Sequence, residues 1–142
     1  MQNTAQVPEE TKTLLVEEIA LFLSVHLGRH PGLMWTEHEP TDPESLADFL
    51  PAALADRLGL PISVLPRLAR DTARDLLVCQ LGGSDTWHVA PPTGPALTLR
   101  LQVGDVLYAP AESICTPRRG ARSRALLLAL GTPKNAREEE KP

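Results

Sequence analysis

Cysteine is nearly missing from this sequence: Cys79 and Cys115 are the only two among 142 residues, and no CxxC pair exists. That argues against a structural zinc site of the usual ligand spacing. No disulfide framework is needed either, because a chain of this length buries about 68–70% of its unfolded surface. Positive charge is also short. Fourteen Lys and Arg face eighteen Asp and Glu, giving a net charge of −4 and a pI near 5.5. Nucleic-acid binders show clustered positive charge, so this balance is a poor footprint for them. No apolar run approaches the ~20 residues that a bilayer span needs. The opening residues, MQNTAQVPEETKT, hold no basic stretch followed by an apolar one, so no secretory leader is expected. The expectation is a soluble cytoplasmic protein. No internal repeat is visible.

Proline, in contrast, is abundant. Fourteen prolines argue for many turns and against a pure helical bundle. The 42% hydrophobic and 23% charged content is that of an ordinary single globular domain. The first half reads as helical. Leu14, Leu15, Ile19, Phe22 and Leu23 recur at helical spacing, and Gly28 is a natural stop. GLMWTEHEPTDPE then reads as loop. A second helix is signalled by Thr41 or Asp42 as cap, Pro43 in the first turn and Glu44 at the positive dipole end. Leu46, Phe49, Leu50, Ala53, Leu54 and Leu58 form its apolar face, and Gly59 ends it.

The second half changes period. DLLVCQL, TWHVAPP, ALTLRLQV, GDVLYAP and SRALLLALG read as five short strands divided by Gly, Asp and Pro. Leu97, Leu99 and Leu101 alternate with Thr98, Arg100 and Gln102, as on a one-sided strand. The fold class expected is mainly β with N-terminal helices (α+β). Residues 1–65 form a helical region that packs on the β-part or makes a dimer interface, and residues 66–132 form the β-domain. Residues 133–142, charged and without an apolar partner, form a disordered tail.

The order of these strands carries a resemblance. Gln80 with Gly82 or Gly83, then Trp87, Pro91 and Pro92, then the turn from Gly104 to Pro110, then a strand led by Ser123 resembles the cupin fold of the JmjC-like oxygenases. The branch that hydroxylates ribosomal proteins is the most similar. The likeness covers roughly residues 70 to 131. It implies a small cupin or jelly-roll double-stranded β-helix. Five strands are few for a closed barrel, so the barrel is expected to be incomplete, with a second subunit over its open edge. Dimerisation through helices is common in that family, and the apolar first helix suits it.

The family's metal site is not kept. Its His-x-Asp pair falls at Arg70 and Thr72, and its second metal histidine falls at Cys115. A facial triad needs two imidazoles and a carboxylate, and a guanidinium stays protonated. A slip of one residue offers only Asp71. The resemblance therefore implies the fold and argues against iron and 2-oxoglutarate chemistry. No cofactor and no metal are expected.

Several side chains carry two readings each. Cys115 is either a thiol facing a pocket, activated by Arg118, Arg119 or Arg70, or a small apolar filler. Cys79 is core filler. His88, next to Trp87, either looks into the barrel as an acid–base group or lies on the surface. His26 and His30 stand at a metal-binding helical spacing, which Gly28 between them weakens. Arg118, Arg119, Arg122 and Arg124 are the one basic cluster. They read either as a dock for a carboxylate, a phosphate or an acidic peptide, or as a solvated hairpin loop. Trp35 plugs the barrel mouth or anchors a partner. Arg70, Thr72, Gln80, Cys115 and Arg124 are the residues expected to line a ligand site.

Three functions follow. The first is a metal-free cupin-like module that holds a small molecule or peptide, or pairs with a partner enzyme or a second copy. The second is a non-redox enzyme, an isomerase, cyclase or lyase of natural-product or peptide tailoring, using Cys115 or His88 in the former metal pocket. The third is a regulator with a helix-turn-helix over residues 54–71 and a cupin sensor. Pro66 inside its second helix counts against it.

Overall fold

A computed structural model of the chain describes residues 9–36, 45–67 and 74–131. Helix α1 (Glu9–His26) starts with Glu9 and Glu10 in its first turn, where carboxylates complement the helix dipole. It buries Leu15, Val16, Ile19, Ala20 and Leu23, a stripe at helical spacing. Helix α2 (Leu46–Leu58) follows the strand β1 (Gly32–Trp35) and buries Leu46, Leu50 and Leu54. Pro51 sits inside α2 and cannot bond the carbonyl of Ala47. Ala47 is exposed, so water can satisfy that oxygen.

The strands are β2 (Ile62–Leu65), β3 (Asp75–Gly82), β4 (Asp85–Ala90), β5 (Leu97–Leu101), β6 (Asp105–Ala109), β7 (Ile114–Arg119) and β8 (Arg124–Leu130). With β1 they make two antiparallel sheets. One has the order β1-β6-β3-β8-β2 and the other β5-β4-β7. From β3 onward the chain passes between the sheets at β3–β4, β5–β6, β6–β7 and β7–β8.

The five-stranded sheet is the middle layer. Leu77, Cys79, Val106, Tyr108, Leu126 and Leu128 point from it to α1 and α2. Leu76, Val78, Leu107, Ala109 and Leu127 point the other way and meet Trp87, Val89 and Leu101 of the smaller sheet. Burial on both faces explains why β3 and β8 read as unbroken apolar runs. The β5–β6 turn is set by Gly104, whose φ of 96° suits glycine alone. Gly104 N–H donates to the Gln80 carbonyl at 3.2 Å, and its own carbonyl accepts from Thr36 N–H at 3.1 Å. One turn thus joins the ends of β1, β3 and β6.

The structure is mainly β with two helices. Several sequence expectations are corrected. GLMW is strand β1, where loop was expected. Residues 62–65 are strand β2, where the third functional reading placed the second helix of a helix-turn-helix; Pro61 and the β-branched Ile62 and Val64 favour the extended form. ICTPRR is strand β7, adding to the five strands expected in that half. β1 and β2 lie within residues 1–65, yet both belong to the middle sheet. The cap and first-turn residues Thr41, Asp42, Pro43 and Glu44 lie outside the described residues; α2 follows Ser45. Residues 133–142 also lie outside them.

Candidate functional site

The side chains singled out in the sequence fall in three places. The first is the hairpin end of the layer between the sheets. Gln80 is buried there, and its Nε2 donates to the Gly82 carbonyl at 2.9 Å. Its Oε1 and the Nε1 of buried Trp87 have no hydrogen-bond partner among the described residues. One unpaired acceptor and one unpaired donor suit a buried water. Asp85 is buried at the same end. Its Oδ1 accepts from Gly120 N–H at 3.0 Å, and its Oδ2 makes an ion pair 3.0 Å from Arg119 Nε, whose N–H donates to Ser123 Oγ at 3.0 Å. Asp85 and Arg119 therefore close the sheet end structurally. Arg124 packs over Gly82: a Cβ added to that glycine would lie 2.9 Å from the guanidinium. Arg124 precedes Ala125, which faces the inter-sheet layer, so it points to the other side of the middle sheet.

Cys115 defines the second place. It pairs with Val89 and packs half-buried against the inter-sheet core. Burial pushes its thiol up to about 11, so the group is held protonated. Four residues of β4 separate Val89 from Asp85, which is ~13 Å at the rise of a strand. Gln80 and Cys115 thus share a layer but stand at opposite ends of it, and Arg124 joins neither. Arg70 and Thr72, with Asp71, lie outside the described residues.

The third place is the outer face of the smaller sheet. Trp87 points into the inter-sheet layer and His88 points out of it. The His88 Nδ1 lies 3.0 Å from Thr98 Oγ1 on the neighbouring strand. His88 and Cys115 are therefore on opposite faces of one sheet. Two cross-strand rows build this face: Thr98, His88 and Thr116, then Arg100, Thr86 and Arg118. Alternation in β4, β5 and β7 sets the rows, because the residues between them, among them Trp87, Val89, Leu99, Leu101 and Cys115, turn inward. The basic cluster is not one loop. Arg118 and Arg119 belong to β7 and point to opposite faces, Arg122 is in the turn, and Arg124 begins β8. The row containing Arg100 was missed in the sequence. Its signal was there in the polar members of LTLRL and TWHVA, but it needed β7 as a third strand.

Trp35 does not plug the interior: it is 73% exposed. His26 packs its ring on Gly32 and places Nδ1 3.1 Å from the Phe22 carbonyl, with the His30 ring edge-on at 5.6 Å. No group of three His, Cys, Asp or Glu positioned to hold a metal occurs among the described residues. No known family model matches this chain, and no curated protein is significantly similar to it.

Proposed function

We propose that this chain is a metal-free, cupin-like binding or accessory module that recognises a partner and does not transform a substrate. The observation that carries the reading is the layer between the sheets. Leu76, Val78, Trp87, Leu101, Leu107 and Leu127 occupy it, where the resembled oxygenases keep their reaction pocket. The repeated passage of the chain from sheet to sheet after β3 supports the cupin-like part of the reading. Cys115 and His88 lie on opposite faces of one sheet, which argues against a thiol–imidazole pair acting on one substrate. Strand β2 at residues 62–65 argues against a regulator that uses those residues as a recognition helix.

Thiol chemistry tests the reading. With its pKa near 11, Cys115 is thiolate to about one part in ten thousand at pH 7. Iodoacetamide labelling of the full chain, followed by mass spectrometry, should be slower at Cys115 than at free cysteine. Its rate should climb about tenfold per pH unit toward 11. Anaerobic iron(II) titration should leave the unfolding temperature unchanged. Faster labelling than free cysteine at pH 7 would revive the enzyme reading. Stoichiometric iron binding would return the chain to oxygenase chemistry.

A further inference from the structure

We propose that the outer face of the three-stranded sheet docks an extended acidic polypeptide segment. The inference rests on the reading of the chain as a binding module and names its partner. The face is formed by Thr86, His88, Thr98, Arg100, Thr116 and Arg118, with exposed Ile114 at its far end. It holds no carboxylate, although the whole chain carries eighteen Asp and Glu against fourteen Lys and Arg. A surface that only faces solvent intersperses both signs. Here the two arginines flank Thr86 in one row, and neither guanidinium makes a hydrogen bond or ion pair among the described residues.

Charge complementarity selects the occupant. Arg100 and Arg118 stand two strands apart, ~10 Å between Cα atoms. Alternate residues of an extended segment put carboxylates on one side ~7 Å apart, and two flexible arginine side chains span the difference. Each guanidinium fork can take a carboxylate in paired hydrogen bonds. The threonine hydroxyls can donate to or accept from the segment's backbone. Ile114, 66% exposed, lies four residues along β7 from Arg118, ~13 Å away, and offers contact to an apolar side chain. A nucleic-acid strand fits worse. The face has no Phe, Tyr or Trp ring on which a base could stack.

The test is fluorescence anisotropy of the full chain with a labelled 16-residue peptide of alternating Glu and Ser, in about 50 mM salt. A 16-nucleotide oligothymidylate is the comparison. The expected result is saturable peptide binding that weakens as salt rises. The variant Arg100→Ser/Arg118→Ser should bind at least tenfold more weakly. Arg122→Ser, in the turn and off the face, should change binding less than twofold. All three positions are exposed, so circular dichroism should report unchanged folding. No peptide binding, equal binding by the double variant, or tighter binding of the oligonucleotide would each overturn the inference. Those outcomes leave slow Cys115 labelling untouched, so failure of the docking surface and failure of the module reading are told apart.

Discussion

Tyr108 is fully buried, and its hydroxyl does two jobs there. It accepts the Gly28 N–H at 2.7 Å, just past the end of α1, and it is hydrogen-bonded to Asp75. Asp75 Oδ1 in turn accepts Ala111 N–H at 2.6 Å. One phenol oxygen therefore joins the helix end, the start of β3 and the turn after β6. Burial, helped by Asp75, raises the phenol's pKa, so the hydroxyl keeps its proton throughout the physiological range. Tyr108→Phe keeps the ring and removes the oxygen, leaving the Gly28 N–H without its partner. Such an orphaned group costs about 1–3 kcal/mol. Urea unfolding of the variant should show a lower midpoint at an unchanged slope, the pattern of a pure stability loss. A midpoint equal to that of the parent would mean that water replaces the hydroxyl fully.

Among the elements, the junction of β3–β4 with β7–β8 is the tightest. Gly120 N–H donates both to the Ser84 carbonyl at 3.1 Å and to Asp85 Oδ1. A Cβ at Gly120 would run into that Ser84 carbonyl, which is backbone and cannot rotate away. Gly120→Ala should force the ends of β4 and β7 apart at a cost of about 1–3 kcal/mol. Thermal unfolding checks it, and a midpoint unchanged from the parent would contradict the close approach. The elements also divide by how readable they were. Strands β3, β5, β6 and β8 carry long apolar or cleanly alternating runs, and α1 and α2 carry leucines at helical spacing. Those signals are local, so the sequence displays them. Strands β1, β2 and β7 carry no such signal: two have four residues, and β7 holds Pro117 and two arginines. All three lie at sheet edges, where pairing with a distant neighbour makes the strand. The candidate face was hidden for that reason. Arg100 and Arg118 are eighteen positions apart in sequence and meet only across β4.

At the scale of the whole molecule, the protonation of buried groups sets a limit on stability. Burial pushes the Cys79 thiol up to about 12 and the Cys115 thiol to about 11, from an ordinary 9.0. Tyr108 is shifted in the same direction. A folded pKa above the unfolded one means that the native state keeps a proton which the unfolded chain releases. The stabilisation is therefore complete below about pH 9 and falls as pH climbs toward 11 and 12. Each thiol contributes a slope of ~1.4 kcal/mol per pH unit in that window. The urea midpoint of the full chain should hold steady from pH 7 to 8.5 and drop steeply between pH 9 and 10, before the lysines titrate. Cys79→Ala combined with Cys115→Ala should start from a lower midpoint, because the buried thiol at Cys79 leaves a cavity. Its midpoint should then change little between pH 9 and 10. The flattened slope, not the lower start, is the signature: a cavity shifts stability equally at every pH, whereas the loss of two titrating thiols removes the pH dependence itself. A double variant that falls as steeply as the parent would show that neither thiol is held protonated by the fold.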